Sequence, residues 1–280
     1  MIYEARSTPT TLGGAIVVSW NALRILDALG IYKELQAACA ETPDFELYNA
    51  NGGKIGTLSL GAFKRKYGYG LIMRVLRSVL HQLLLRRLYE EGIDVKYGMK
   101  VTEIEETNDF VKITFADGMV ESCDLLVGAD GIHSAVRSLH VDPELEPEYT
   151  GISVLYGLVP ACTLSSPLYF SGNFASIMFR QGIFATGFCD PQRETIYWFI
   201  SHEVPARNPE GWTAQDKESA KIKAEVRERI KDIKVPLIND ILNNSTGFRF
   251  YPIFKLPLQG KWYTERTILI GDSAHGTSAL

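Results

Sequence analysis

Cysteine is scarce in this chain of 280 residues: Cys39, Cys123, Cys162 and Cys189 are scattered without CxxC spacing. That argues against a thiolate zinc site or a disulfide framework and reads as reduced, mostly buried thiols. Basic charge is not in excess either. Lys and Arg number 29 against 33 Asp and Glu, a net charge of −4, which provides no footprint for nucleic acid or anionic lipid. No apolar run approaches the ~20 residues of a membrane-spanning helix, and the first residues lack the basic region of a signal peptide. Repeats, low-complexity linkers, metal-ligand spacings and a Ser-His-Asp arrangement are all missing, and so is the GxGxxG turn of a dinucleotide fold. What remains is the composition of a cytoplasmic globular enzyme. A hydrophobic fraction of 46% suits a packed core, and the length suffices for one large or two modest domains.

Two strings carry most of the information. Residues 124–137 read Asp-Leu-Leu-Val-Gly-Ala-Asp130-Gly131-Ile-His-Ser-Ala-Val-Arg, and residues 268–275 read Ile-Leu-Ile-Gly271-Asp272-Ser-Ala-His. Each is an apolar run ending in a Gly- and Asp-bearing turn, which predicts a buried strand of a packed sheet. An Asp at the carboxyl end of such a strand sits where open α/β sheets bind ligands. A helix start is expected after each turn, and its free amides and partial positive charge suit a polyhydroxyl or phosphate-bearing cofactor. Asp130 and Asp272 are also good helix caps, a role compatible with cofactor binding.

GADGIHSAVR resembles the second fingerprint of the flavoprotein aromatic hydroxylases, the single-component FAD-dependent monooxygenases of the salicylate hydroxylase type, and GDSAH is similar to their third. The resemblance implies an α/β fold with a Rossmann-like, FAD-binding parallel sheet and an antiparallel substrate domain. It places Asp130 and Gly131 near the FAD pyrophosphate and the nicotinamide path, and Gly271 with Asp272 at the ribityl chain. Glu4, in Met1-Ile-Tyr-Glu4, falls where the family has its ribose acid. Gly14 and Val18 fall in a segment whose backbone passes the flavin. Arg74 falls at the family's arginine ahead of a long helix, where a planar fork of donors binds carbonyl or phosphate oxygens. The first strand, glycine turn and helix of the family plan are not found upstream of Glu4, and Ala279 stands where a Pro is usual, so truncation at both ends is expected.

Residues 1–149 are expected to form the FAD-binding domain, incomplete and with a strand insertion near 44–70. Residues 150–263 form the substrate domain, and 264–280 return to the first. Within the first block, Asn21–Gly30 and Tyr32–Ala40 read as helices, with Leu23, Leu26 and Leu29 as core and Gly30 as the stop. Asn51-Gly52 is a hairpin turn. Leu71–Leu88 reads as one long helix with Leu76, Leu80, Leu83 and Leu84 on its buried face. Residues 94–126 alternate as a β-meander turning at Asp117-Gly118. From Thr150 the chain is rich in aromatics, including Tyr156, Phe174 and Tyr197-Trp198-Phe199, and predicts an antiparallel sheet whose rings are mostly core; the resemblance implies that one face of it roofs the substrate cavity. Thr213–Asn243 is an amphipathic helix pair broken at Pro236.

The chemistry implied by the resemblance is monooxygenation: NAD(P)H reduces FAD, and an oxygen atom of O2 passes to an aromatic or other electron-rich small molecule. The protein supplies positioning and exclusion of water, so no catalytic residue is assigned, though Tyr197 and Arg180 are available for substrate binding. The alternatives are another FAD oxidoreductase of the same fold, or a catalytically inactive remnant that binds flavin weakly.

Overall fold

The structure is a computed structural model and describes residues 1–9, 13–59, 72–205 and 219–276. In chain order the strands and helices are β1 (Ile2–Glu4), β2 (Ala15–Ser19), α1 (Trp20–Ala28), α2 (Tyr32–Ala38), β3 (Ala40–Glu41), β4 (Asp44–Asn49), β5 (Lys54–Ser59), β6 (Ile72–Leu76) and α3 (Arg77–Glu90). They continue with β7 (Val95–Tyr97), β8 (Val101–Glu106), β9 (Val111–Phe115), β10 (Val120–Cys123), β11 (Leu126–Gly128), β12 (Glu148–Pro160), β13 (Phe174–Phe179), β14 (Gly182–Phe188) and β15 (Thr195–Glu203). The last are α4 (Ser219–Arg229), α5 (Pro236–Asn244), β16 (Thr246–Lys255), β17 (Thr267–Leu269) and α6 (Asp272–His275). This is a mixed α/β fold with parallel and antiparallel sheets.

The described residues divide into two compact units. The first holds 1–9, 93–151 and 252–276; the second holds 13–59, 72–92, 152–205 and 219–251. The chain alternates between them, so the second unit gathers β2–β6 with the aromatic sheet instead of following the linear blocks read from composition.

In the first unit β1 runs parallel to β7, and β11 runs parallel to β17 with Val127 opposite Ile268. Strands β8, β9 and β10 form the expected meander, closed by the Asp117-Gly118 turn with Gly118 at φ 85°. Val111, Ile113 and Phe115 of β9 point alternately into a core shared with Val136, Val141, Leu269 and Ala274. The two motif strands were expected to be buried throughout. Only one face of the β11–β17 pair packs on this core, and Val127 and Ile268 on the other face are 47% and 40% exposed.

In the second unit seven strands pair in the order β16-β12-β15-β14-β13-β4-β5. The pairs β12–β15, β15–β14, β14–β13 and β4–β5 are antiparallel, whereas β13 with β4 is parallel, so the 44–59 hairpin extends the aromatic sheet. Its part at 60–70 lies outside the described residues. Side chains alternate across the sheet. One face presents Leu155, Ile177, Phe184, Ile196, Trp198 and Ile200 to the apolar sides of α4 and α5. Pro236 is at the start of α5, where its missing N–H costs no helical bond. Of the expected helix pair, 213–218 and the Ile222 side chain lie outside the described residues.

The expected helix over Leu71–Leu88 divides. Residues 72–76 are strand β6, paired with β2 and β3, and the helix begins at Arg77; Leu71 lies outside the described residues. Met73 and Val75 are completely buried against Leu23, Ile31 and Leu35, a demand that pairing in a sheet satisfies and a helix turn does not. Leu80, Leu83 and Leu84 of α3 pack partly buried on the same core. Helix α1 stops as read, with Gly30 at φ 78°, a left-handed conformation that Gly adopts without Cβ strain.

Candidate functional site

The Asp130 and Asp272 turns lie side by side because their strands are paired. Ile270 N donates to Gly128 O at 2.9 Å, so the chain leaves β11 and β17 in the same direction, at the carboxyl ends of parallel strands. Gly131 and Gly271 have φ of 84° and 58°, and a Cβ at either would meet no atom within 4 Å. Both are left-handed turns bordered by open space.

The two carboxylates differ in what they hold. Asp130 Oδ2 accepts from Ala135 N at 2.6 Å and Val136 N at 3.1 Å, while its Oδ1 accepts from the Ser134 hydroxyl and, at 3.2 Å, from Ser273 Oγ. Asp130 therefore caps the short helical segment ahead of Val141 and ties it to the second motif. Asp272 is exposed, and among the described residues its carboxylate makes no hydrogen bond or ion pair. Instead it opens α6, a single turn of four residues, where a negative charge is favourable.

Arg137 and Ser273, to which the sequence reading gave no role, join the motifs. Ser273 Oγ accepts from Gly131 N at 2.9 Å. Arg137 is 1% exposed and donates to Ser273 O at 2.9 Å, Ile132 O at 2.5 Å and Leu145 O at 3.3 Å. Burial pushes its guanidinium down, with the Asp130 and Asp142 charges opposing. Both residues stand inside the motif strings, which was the available signal. Glu4 ends β1, half-buried, and its Oε1 accepts from Arg6 N at 2.9 Å. It belongs to the separate β1–β7 pair.

Gly14, Val18 and Arg74 lie together in the second unit, on the β2–β6 pair. Val17 is opposite Arg74, and Arg77 N donates to Gly14 O at 2.9 Å. Val18 is 4% exposed within the core. A Cβ on Gly14 would stand 2.2 Å from the Tyr197 ring and 3.0 Å from Tyr156, so the close approach that this glycine permits is to aromatic side chains of its own unit.

Arg74 was expected ahead of the helix, against a background of surface arginines. It is instead mid-strand and 1% exposed, and the arginine at the helix entrance is Arg77, which is exposed. The Arg74 guanidinium lies 3.8 Å from the Phe174 ring centroid and donates to Asn173 O at 3.2 Å. Among the described residues no carboxylate pairs with it. Burial lowers its pKa to about 10, so the group remains charged at neutral pH.

Strand pairing explains where that charge sits. Phe174, Gly187, Tyr197 and Leu158 are successive partners across β13, β14, β15 and β12 and share the sheet face opposite the α4–α5 core. Gly187 leaves a gap in this row, and a Cβ there would be 2.1 Å from Arg74 Nη1. The guanidinium fills the gap between Phe174 and Tyr197. Further along the same face, Tyr197 meets Tyr156 at 5.7 Å and Phe199 at 5.9 Å between ring centroids. The Tyr197 hydroxyl makes no hydrogen bond among the described residues, and burial raises its pKa.

Residues 1–279 match the family model described as FAD binding domain. The chain is 29% identical over 282 residues to a 3-amino-4-hydroxybenzoate 2-monooxygenase of Streptomyces platensis, covering 98% of this chain and 66% of that protein. It is 25% identical over 279 residues to a 6-hydroxynicotinate 3-monooxygenase of Bordetella bronchiseptica, covering 98% and 69%. Among solved structures, Klebsiella pneumoniae HpxO in complex with FAD and uric acid superposes with a TM-score of 0.82 at 21% identity, over 99% of this chain and 67% of that one. The chain thus spans about two thirds of the length of these relatives.

Proposed function

Because the chain belongs to the FAD binding domain family, whose members similar to it are FAD-dependent monooxygenases of the aromatic hydroxylase type, we propose that it hydroxylates a small aromatic molecule with NAD(P)H and O2. Bound FAD would supply the redox chemistry, accepting hydride from NAD(P)H and passing one oxygen atom of O2 to the ring while the other leaves as water. The residues present fit such a group. Gly131 and Gly271 hold turns that a side chain would strain and border open space, and the exposed Asp272 carboxylate is available to accept hydrogen bonds from ribityl hydroxyls.

The observation that carries the reading is the division of labour between the paired turns. Asp130, Ser273 and Arg137 saturate one another and hold the turns in place, which leaves Asp272 as the acceptor for a ligand. Glu4 is the acid proposed for the ribose hydroxyls. Gly14 and Val18 have their side-chain positions taken by rings and core, so this strand offers a cofactor only its backbone. The helix-entrance role assigned by resemblance to Arg74 passes to Arg77. The sheet face carrying Tyr156, Tyr197 and Phe199 takes the substrate: flat rings stack on aromatic side chains, and apolar walls exclude water from the reacting carbon. The test is product formation. The FAD-loaded protein, given NADPH or NADH, O2 and a panel of hydroxybenzoates and hydroxypyridines, should consume coenzyme and release a product heavier by one oxygen. Oxidation of coenzyme to hydrogen peroxide alone, with every ring recovered unchanged, would overturn the assignment.

A further inference from the structure

Strands β11 and β17 have three residues each, a short pair for holding two ligand turns in register. At the turn end the motifs are joined by Asp130, Ser273 and Arg137. At the other end one carboxylate oxygen joins them. Glu106, the last residue of β8, accepts at Oε2 from the Thr267 hydroxyl at 2.8 Å, the Thr264 hydroxyl at 2.6 Å and His140 Nε2 at 3.0 Å. Thr264 and Thr267 face each other across the tight turn that enters β17, where Thr264 N donates to Thr267 O at 2.9 Å. Thr267 stands opposite Leu126 at the amino ends of the strand pair. His140 belongs to the segment that leaves the Asp130 turn. That segment ends in a π-helical turn, Arg137–Val141, a rare conformation held here from two sides: Arg137 donates to Ser273 O and His140 to Glu106.

Three donors on one oxygen call for a full negative charge, because charge-assisted hydrogen bonds are roughly twice as strong as neutral ones. Glu106 is half-buried. Burial would raise its carboxyl, but Thr264, His140 and Thr267 hold it at about 2, so the charge is present near neutrality. We infer that Glu106 is a positioning residue for the flavin, fixing the register of the Asp130 and Asp272 turns from the far end of their strands. The inference rests on the reading that these turns hold FAD. One arm of the clasp reaches the strand that leads to Asp272, and the other reaches the π-helical turn that carries Arg137. With the clasp closed, Arg137 stays on Ser273 O and Gly131 N on Ser273 Oγ. With it open, the π-helical turn is free to rewind, and only a three-residue pair resists sliding of one motif past the other.

Three readings on the full chain test this. Titration with FAD gives the affinity, visible circular dichroism reports the setting of the bound flavin, and amide exchange without FAD reports the turn itself. Glu106→Gln, which keeps the shape and removes the charge, should weaken FAD binding about tenfold. It should also alter the dichroism of the flavin that still binds and speed exchange of the Gly131 amide, while the amides of β9 stay protected. Glu106→Asp should keep part of the affinity, and Thr267→Val, which removes one donor, should move all three readings in the same direction. Glu46→Gln is the control: it removes a carboxylate of the other unit, which accepts from Ser171 Oγ and the Tyr48 hydroxyl at 2.7 Å each, and should leave the three readings native. Should Glu106→Gln not fold, Glu106→Asp and Thr267→Val decide the matter on the same readings. Native affinity and dichroism in the Glu106 and Thr267 variants, exchange accelerated equally throughout the unit, or a matching loss in Glu46→Gln would overturn the inference and leave the FAD reading standing. Failure of the native chain to take up flavin would overturn both.

Discussion

Asp130 and Asp272 are the same residue type at the same kind of turn, and the fold gives them opposite tasks. The Asp130 carboxylate satisfies two backbone amides and two hydroxyls. Asp130→Ala is therefore expected to lower stability by about 2–4 kcal/mol, through loss of a cap and unsatisfied donors left near the Ser273 link; a thermal or urea melt measures it. The sequence made the position of both acids legible, since strand-Gly-Asp strings are local. Their division of labour was not legible, because it depends on Ser273 and Arg137, which arrive from the opposite motif. Arg74 and Arg77 show the same limit. Three residues apart in one basic, leucine-rich stretch, they are interchangeable on paper, and only the point where strand gives way to helix decides which is buried.

At the scale of elements, that point was obscured because Ile-Met-Arg-Val-Leu satisfies a helical pattern as well as a strand buried on both faces. The competing demand came from β2 and β3, which need a partner. The tight packing of β2 against the aromatic sheet gives a further prediction. Gly14→Ala places a Cβ 2.2 Å from the Tyr197 ring, overpacking that should cost about 1–3 kcal/mol; Tyr197→Ala in the same background should recover part of the loss, as a double-mutant cycle would show.

Two carboxylates, Glu46 buried and Glu106 half-buried, fasten elements together, one in each unit. Glu106 ends β8. Burial would raise its pKa, but hydrogen bonds from Thr264, His140 and Thr267 hold it to about 2 instead of the usual 4.5; the Thr264 and Thr267 bonds are 2.6 and 2.8 Å long. Glu46 in β4 is likewise opposed by burial, and Ser171, Tyr48 and Lys54 bring it to about 2. A carboxyl whose folded pKa is depressed stabilises the protein above its unfolded pKa and loses that contribution as pH falls through the folded value. Stability should thus hold near neutrality and decline between pH 4.5 and 2, by roughly 3 kcal/mol for each group. Glu106→Gln should flatten this decline in a series of melts across that range. An unchanged slope would show that the bonds to Glu106 do not set it.

For the whole molecule, the motif strings sufficed to read the α/β class and the FAD family, because backbone turns at strand ends are written in a few adjacent residues. The grouping of 13–59 with 152–205 in one unit was hidden, since it rests on the parallel pairing of β4 with β13, in which Glu46 stands opposite Ala175 far along the chain. The outward faces of Val127 and Ile268 were hidden for a similar reason: an apolar strand reads as buried on both sides until its neighbours are known.

The account as a whole rests on Asp272 being free to serve a ligand. The measurement that tests it most directly is the flavin content of the purified chain and of Asp272→Ala after saturation with FAD and gel filtration, with a melt of each. The account predicts near one-to-one flavin in the native sequence and little in Asp272→Ala, whose melting temperature without FAD falls only slightly, because among the described residues that carboxylate makes no hydrogen bond or ion pair and only its charge favours the start of α6. Equal flavin retention by both, or loss of flavin only alongside a loss of stability, would contradict it.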